Sequence, residues 1–363
     1  MDESSAEVSR VWEALRRVQE PELHKDIVTL QMVKDVAVPQ RGTVSLTFTL
    51  TTPACPFKEE IERSIREELL KLEGVREVRI KMEAVVPKAR DLQGRAPIHG
   101  VKNIVAVASG KGGVGKTTVA VNIAVALARL GAAVGLMDSD VYGPNVPRMM
   151  GIQGTPQAAG DRIRPLEGLG LRVMSMGFLS PGDRPLIWRG PMLHSVIQQF
   201  LRNVDWGELD YLILDLPPGT GDVQLTLTQT VPLSGGVIVT TPSDVALEDA
   251  RKAVGMFREV KVEVLGIVEN MSYFLCPHCG TRVEIFSHGG GKRTSEDFGI
   301  PFLGEIALHP EVRAGGDHGS PVAARGPDSP EAKSFYDIAK QVAARVSVAN
   351  LTAAPEELVT IRP

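Results

Sequence analysis

The chain has 363 residues, of which 43% are hydrophobic and 23% charged, ordinary proportions for a globular protein with room for two domains. Its formal net charge of −4 argues against a general binder of nucleic acid or of anionic membranes. Three cysteines in a chain of this length exclude a disulfide scaffold. Because the N-terminus is acidic and polar and carries no secretory signal, we expect a cytoplasmic protein without nucleic-acid or membrane partners.

Residues 1–87 predict a small α+β domain. A helix is expected over residues 8–19, and strict alternation of polar and apolar residues predicts a half-buried strand over residues 43–50. Residues 56–72 predict a charged helix, and residues 75–85 predict a further strand. The charged helix places four apolar residues on one stripe: Phe57, Ile61, Ile65 and Leu69. We therefore expect a sheet covered by helices on one face.

Residues 88–100 lose this periodicity and gather proline and glycine, which indicates a linker. Over residues 101–349, strand and helix patterns alternate, and several strands are the continuous apolar runs typical of parallel strands buried on both faces. The predicted strands are 104–109, 134–139, 172–176, 211–216, 236–241, 264–269 and 302–306. We expect a doubly wound, mostly parallel α/β sheet that binds ligands at the carboxyl ends of its strands. A last amphipathic helix is expected over residues 331–346, and residues 350–363 are expected to form a flexible tail.

A phosphate-binding loop follows the first strand of the larger domain. Residues 110–117 read Gly-Lys-Gly-Gly-Val-Gly-Lys-Thr, which fits the P-loop pattern of Gly, four free positions, Gly, Lys and Ser or Thr. Lys116 is expected at the β- and γ-phosphates of a nucleotide, and Thr117 is expected to hold Mg²⁺. The expected nucleotide-binding residues here are Gly110, Lys111, Gly112, Gly113, Val114, Gly115, Lys116, Thr117 and Thr118.

The loop carries a second lysine, Lys111, which the P-loop pattern does not require. A second cation at this position suggests a charge meant for a phosphate that is bound by a facing subunit. The loop therefore predicts a dimer as well as a nucleotide site.

Aspartates stand at the ends of two further predicted strands. Asp138 and Asp140 end one strand, and Asp215 ends the apolar run Leu212 to Leu214. Carboxylates at this edge of the sheet can hold Mg²⁺ or position an attacking water. A single strand-end aspartate more often caps the next element, but three that converge on one P-loop favour a functional role.

Cys276 and Cys279 form a second candidate site. Two cysteines with two residues between them supply half of the ligands that tetrahedral zinc or a cluster bound by four cysteines needs. His278 and His288 would complete a zinc site within one chain. Alternatively, two chains would each give two cysteines to a shared iron–sulfur cluster on a two-fold axis. Lys111 independently predicts the same dimer.

The loop with Lys111, the aspartates and the run Leu216-Pro217-Pro218-Gly219 together resemble the deviant Walker A ATPases of the MinD/ParA type. The resemblance implies that Lys111 contacts the ATP of the partner subunit, whereas Lys116 and Thr117 act within their own chain. Both lysines then take part in ATP hydrolysis.

The same resemblance assigns the remaining polar residues. Asp140 would orient the attacking water, and Asp138 and Asp215 would support Mg²⁺. Asn270 matches the asparagine that reads the adenine base in that family, and its amide can both donate and accept hydrogen bonds.

A closer resemblance, to the Mrp/ApbC family, covers roughly residues 101–345. The motifs that carry it are residues 110–117, Trp188-Arg189-Gly190-Pro191-Met192, residues 215–222, Asn270-Met271-Ser272 and Cys276-x-x-Cys279. The resemblance implies a homodimeric ATPase that carries a 4Fe–4S cluster, exchanges it with scaffold proteins and passes it to apo-proteins. It also implies that the first domain is a small cluster-assembly domain. One departure is Ala307, where family members often have proline.

Cys55 precedes the charged helix of the first domain, and a thiol at a helix N-terminus is biased toward thiolate. A role in binding or relaying iron competes with the role of a small buried apolar residue.

Two further functions were weighed. A partitioning or positioning ATPase with a structural zinc at Cys276 and Cys279 fits the fold. Such a protein would need a basic surface or a Lys-rich C-terminal tip, which this sequence does not offer. An electron donor of the dinitrogenase-reductase type would place its cysteines far apart in the chain.

Overall fold

The computed structural model of the chain describes residues 3–40, 42–89, 95–140, 143–179 and 190–352. They form a small N-terminal α+β unit and a larger α/β unit. No helix within these ranges combines the length and the apolar character that crossing a lipid bilayer requires. The resemblance motif at Trp188 and Arg189 lies outside the described residues, as does most of the expected tail.

The N-terminal unit packs two helices on one face of a three-stranded sheet. Its elements are α1 (Glu3–Leu15), β1 (Gln19–Glu20), β2 (Lys25–Asp26), β3 (Val33–Gln40), β4 (Thr43–Leu50), α2 (Lys58–Leu70) and β5 (Glu77–Ala84). Strand β4 is central, antiparallel to β3 and parallel to β5. Apolar residues of both helices and of β4 form one core, including Leu15, Phe48, Ile61, Ile65 and Leu69.

Three details of this unit differ from the prediction. The first helix covers residues 3–15 rather than 8–19, and the mostly exposed strand β3 was not predicted. Strand β4 is also more deeply buried than the half-buried strand that was predicted, because it lies between β3 and β5. Even its polar residues Thr43 and Thr47 are buried.

The larger unit is a doubly wound sheet of eight strands. Its elements are β6 (Val101–Ala108), α3 (Lys116–Arg129), β7 (Val134–Asp138), α4 (Val146–Met150), β8 (Gln157–Ala159), β9 (Arg162–Arg164), β10 (Leu166–Gly168), β11 (Leu171–Ser175), α5 (Gly190–Arg202), β12 (Leu209–Asp215), α6 (Asp222–Thr230), β13 (Gly235–Thr240), α7 (Asp244–Glu259), β14 (Val264–Glu269), β15 (Phe274–Leu275), β16 (Arg282–Val283), α8 (Gly290–Phe298), β17 (Phe302–Glu305), α9 (Pro310–Asp317) and α10 (Pro330–Thr352). The strand order is β10–β11–β7–β12–β6–β13–β14–β17, and only the β10–β11 pair is antiparallel.

All seven strands predicted for this unit are present, each within about three residues of the expected bounds. Helices α3 and α10 cover one face of the sheet, and α5, α6 and α7 cover the other. The short strand β10 was not predicted, because three residues are too few to show a period. The expected mostly parallel α/β fold is confirmed.

Helix α10 continues beyond residue 349, where the tail was expected to begin, and runs to Thr352. The reason is that Asn350 is buried and its amide Nδ2 lies 2.8 Å from Oδ1 of Asn103 on β6. Residues 353–363 lie outside the described part of the chain.

Described residues within and beside the expected linker pack against the larger unit. Val86 joins its core, and the guanidinium of Arg95 donates to the carbonyl oxygens of Thr228 and Val260. The two units also meet directly, since the buried Tyr211 hydroxyl lies 3.0 Å from Oγ1 of Thr52.

Candidate functional site

The P-loop joins β6 to α3 at the carboxyl edge of the sheet. Gly115 ends the loop with φ +81°, a conformation that L-residues with a side chain rarely adopt. A Cβ at Gly115 would also lie 2.2 Å from Nδ2 of Asn270, so only glycine fits. The first turn of α3 then begins at Lys116, which places the positive end of a helix dipole behind the loop.

Lys116, Thr117 and Asp215 meet at the base of the loop. The ammonium of Lys116 donates to Oδ1 of Asp215, and Oγ1 of Thr117 donates to Oδ2 over 2.7 Å. Lys116 and Asp215 are both buried. Burial raises the pKa of Asp215, and the neighbouring Lys116 lowers it. A hydroxyl and a carboxylate oxygen side by side are the donors that Mg²⁺ prefers, so these residues fit that ion.

Asp138 lies behind this group rather than on the wall of the cavity. Its Oδ2 accepts a hydrogen bond of 2.8 Å from the Ser175 hydroxyl, and its Oδ1 accepts one from the backbone N–H of Asp140. Burial raises the pKa of Asp138, and the nearby Asp215 carboxylate raises it further. The structure thus brings Asp138 close to Asp215, while protein donors already satisfy both of its oxygens.

A cavity of about 460 Å³ opens in front of the loop. Asp140 reaches it, as does Lys111, which forms no ion pair among the described residues. The cavity walls that sequence reasoning missed come from α4, from α9 and from the segment before α9. They include Asn145, Arg148, Met149, Ala307, Leu308, His309, Val312, Arg313 and Asp317. Two of these residues, Arg148 and Arg313, add cationic groups suited to an anionic ligand.

Asn270, which is expected to read the adenine base, lies on the wall of the same cavity. Its Nδ2 donates a hydrogen bond of 2.8 Å to the carbonyl oxygen of Val114 in the P-loop. Its backbone N–H donates to Thr240 at the end of β13. The side-chain amide of Asn270 therefore holds the P-loop to the end of β14.

Cys276 and Cys279 lie at the tip of a short hairpin formed by β15 and β16. The N–H of Cys276 donates to the carbonyl of Thr281, and the N–H of Gly280 donates back to the carbonyl of Cys276. Cys279 is exposed and Cys276 is partly buried. The pKa of Cys279 is lowered by hydrogen bonds from Thr281 and by Cys276.

Among the described residues, no histidine, cysteine or acidic side chain lies close enough to these two thiols to act as a third metal ligand. His278 is exposed, and Nε2 of His288 lies 2.8 Å from Oε2 of Glu305 instead. The structure therefore does not assemble the single-chain zinc site that His278 and His288 would complete.

In the described part of the chain, one group of side chains has the spacing of metal ligands: Glu269, His288 and Glu305. Protein donors already fill it. The N–H groups of Gly289 and Gly291 donate to Glu269, and Arg282 donates to Glu305. Burial raises the pKa of Glu305, but the hydrogen bonds from His288 and Arg282 outweigh it, and the net shift is downward. This group is a polar network rather than a metal site.

Cys55 does not have the environment that was expected of it. It lies before α2, whose first residue is Lys58, and it is partly buried against the apolar core of the N-terminal unit. Burial raises its pKa to about 11, and the backbone N–H groups of Phe57 and Lys58 oppose this only in part. The predicted bias toward thiolate is wrong, because desolvation of the thiolate outweighs the helix N-terminus.

Known protein families match both units of the chain. Residues 100–343 match the sequence model of the NUBPL iron-transfer P-loop NTPase family, and residues 9–81 match that of an iron–sulfur cluster assembly protein. The iron–sulfur cluster carrier protein of Synechocystis sp. is 52% identical over 345 residues, which cover 93% of this chain and 97% of that protein.

Solved structures are similar in fold to about two thirds of the chain. A nucleotide-binding protein from Archaeoglobus fulgidus, in complex with ADP, is 39% identical with a TM-score of 0.56, and the match covers 63% of this chain and 90% of that one. The cell division ATPase MinD of Pyrococcus furiosus shares the fold at 21% identity, with a TM-score of 0.51 over 66% of this chain and 98% of that one. With its P-loop, its exposed cysteine pair and these matches, the chain belongs to the NUBPL family of iron-transfer P-loop NTPases.

Proposed function

We propose that the protein is an ATP-binding and ATP-hydrolysing carrier that holds a 4Fe–4S cluster between two subunits and transfers it to apo-proteins. The observation that carries the proposal is the hairpin of Cys276 and Cys279. It presents two thiols at the surface, with no third ligand beside them in the described residues. Four thiolates are the usual ligand set of such a cluster, so a second copy of the chain supplies the missing half.

The nucleotide reaction follows from the P-loop. Water attacks the γ-phosphorus of ATP, the bond to the β–γ bridging oxygen breaks, and ADP, phosphate and a proton leave. Lys116 stabilises the charge that develops on the phosphate oxygens, and Asp140 orients the water. Thr117 and Asp215 would hold Mg²⁺, which neutralises charge on the β- and γ-phosphates. Lys111 would reach the phosphate held by the facing subunit.

Cluster transfer needs only an exchange of ligands. Each carrier thiolate that leaves the cluster is replaced by a thiolate of the acceptor, and it takes up the proton that the acceptor thiol loses. Exposed cysteines suit such an exchange, because an incoming thiolate reaches the cluster without unfolding the carrier. A scaffold protein would load the carrier by the same exchange in reverse.

The surface around the cysteines supports a second copy as the other half of the site. Of the large hydrophobic side chains that are exposed in the described residues, four lie in the hairpin and directly after it: Leu275, Val283, Ile285 and Phe286. Exposed apolar side chains gathered in one segment indicate a contact surface. We define residues 274–286 as the cluster hairpin.

Anaerobic reconstitution with iron and sulfide tests the proposal. We expect visible absorption from the cluster, one cluster per two chains by iron and sulfide content, and transfer to an apo-ferredoxin. The double variant Cys276→Ala/Cys279→Ala should lose the absorption, whereas Cys55→Ala should keep it. Absorption that survives the double variant, or a full cluster on a monomer, would sink the proposal.

A further inference from the structure

The nucleotide cavity and the cluster hairpin lie on one short stretch of chain. Asn270 and Met271 line the cavity, and the hairpin begins at Phe274, only three residues later. The segment after β17 runs beside it: the N–H of Leu308 donates to the carbonyl of Tyr273 over 2.7 Å. Leu308 also lines the cavity, so both segments touch both sites.

A polar network fixes these two segments to each other. The Ser272 hydroxyl lies 2.6 Å from Oε1 of Glu269 and 3.1 Å from Oε2 of Glu305. Glu269 is fully buried at the end of β14, and the next residue, Asn270, donates to Val114 in the P-loop. The network therefore has one end at the phosphate-binding loop.

The other end of the network lies on the cluster hairpin. Both terminal nitrogens of Arg282, in β16, donate to the carboxylate of Glu305, over 3.2 and 3.4 Å. The guanidinium of Arg282 also lies 3.9 Å from the centroid of the Tyr273 ring, within range of a cation–π contact. Arg282 is the hairpin residue that holds its second strand to the body of the protein through a planar, two-pronged contact.

We propose that Glu305 is a positioning residue that couples the nucleotide state to the orientation of the cluster hairpin, through Arg282 on one side and through Ser272 and Glu269 on the other. This inference rests on the proposed function. A ligand that moves Asn270 or Met271 shifts their neighbours Glu269 and Ser272, and the Ser272 hydroxyl contacts the Glu305 carboxylate that holds Arg282. Chains of hydrogen-bonded side chains can carry coupling between two sites, and this network is a chain of that kind.

Three variants test the coupling. Glu305→Gln removes the charge that holds Arg282 and keeps the size of the side chain. Arg282→Met removes the other partner on the exposed hairpin, and Arg282→Lys keeps the charge but loses the two-pronged contact. Glu311→Gln is the matched control. Glu311 lies on α9, close to the cavity, and its carboxylate pairs with Arg325 over 2.7 Å. Among the described residues, it contacts none in the hairpin.

Two measurements read the coupling. The first is the rate of cluster transfer to an apo-ferredoxin with and without ATP. The second, made on cluster-free protein, is hydrogen exchange of residues 274–283 with and without ADP. In the wild type we expect ATP to change the transfer rate about fivefold or more, the lower end of usual coupling between sites. ADP should change exchange in the hairpin.

In Glu305→Gln and in Arg282→Met both nucleotide effects should fall to near none, while cluster content and the Kd for ATP stay close to wild type. The double variant should lose no more than either single one, because both act on one contact. Arg282→Lys should restore part of the effect, and Glu311→Gln should keep all of it. If Glu305→Gln fails to fold, Arg282→Met decides.

Nucleotide effects that persist in both single variants would overturn the coupling role and leave the carrier function standing. A wild type whose transfer and exchange ignore nucleotide would overturn it equally. A wild type that takes up no cluster would instead refute the proposed function, on which this inference rests.

Discussion

Lys116 and Asp215 form a buried ion pair that joins the P-loop to the end of β12, although they are 99 positions apart in the chain. Thr117 donates to the same carboxylate. One carboxylate thus holds both side chains that are proposed to bind the nucleotide and its metal ion. In the proposed mechanism, Lys116 exchanges this partner for phosphate oxygens when a nucleotide binds.

Lys116→Ala should abolish ATP hydrolysis and also destabilise the protein. Removal of one member of a buried pair leaves the other charge uncompensated, which typically costs about 3–5 kcal/mol. Urea unfolding at pH 7.5 measures the change in the free energy of unfolding. A variant as stable as the wild type would show that Asp215 takes up a proton without penalty.

Lys111→Ala provides the contrast. Lys111 is only partly buried and forms no ion pair within the described ranges, so its removal should change the free energy of unfolding by about 0.5 kcal/mol or less. We expect ATP turnover to fall nonetheless, because the proposed role of Lys111 is on the facing subunit. Mixing Lys111→Ala with a Lys116→Ala protein tests this: hybrid dimers retain one site with both lysines and should recover part of the activity. Full turnover by Lys111→Ala alone would contradict the role.

Much of this site could be predicted from the sequence because its signals are local. A P-loop is a contiguous motif, and a buried parallel strand is a continuous apolar run that ends in a polar residue, as at Asp138 and Asp215. Arg148 and Arg313 could not be predicted, since only the packing of two short helices brings them to the cavity. The environment of Cys55 was predicted wrongly because its burial depends on how the segment before α2 packs against the core of the N-terminal unit, which the local sequence does not show.

Cys55 should be a slow thiol. A pKa of about 11 leaves roughly one thiol in a thousand ionised at pH 8, and the thiolate is the reactive form. In the folded, cluster-free protein we expect iodoacetamide to label Cys279 well before Cys55, as measured by mass spectrometry of timed samples. In urea the two should react at similar rates. Equal rates in the folded protein would contradict the burial of Cys55.

The apolar side chains of the cluster hairpin should support the proposed dimer. Phe286→Asp places a charge where the second copy would exclude water, so the reconstituted protein should sediment as a monomer and lose its cluster. Leu70→Asp on α2 is the matched control, because Leu70 is 45% exposed and Phe286 43%. The control should still form a dimer with its cluster. A Phe286→Asp dimer that keeps the cluster would move the interface elsewhere.

Glu22 should make the protein less stable as the pH rises. Burial and, to a smaller extent, the charge of Glu20 raise its pKa to about 7, although Arg345 opposes both effects. A carboxyl group with a raised pKa in the folded state stabilises it fully below the ordinary value of 4.5, and this contribution is lost as the pH rises through about 7. Glu22→Gln should therefore have a higher Tm than the wild type at pH 8, with little difference at pH 4.5.

Glu83, in the same domain, should affect the pH dependence of stability in the opposite direction. Hydrogen bonds from Lys34 and Lys81 lower its pKa to about 2, so its contribution is present above pH 4.5 and is lost as the pH falls toward 2. Glu83→Gln should lower the Tm at pH 8, where Glu22→Gln raises it. Calorimetry of the two variants and the wild type at pH 4.5 and pH 8 separates the effects. If Glu22→Gln also lowers the Tm at pH 8, the Glu22 carboxylate is stabilised by Arg345 more than burial disfavours it.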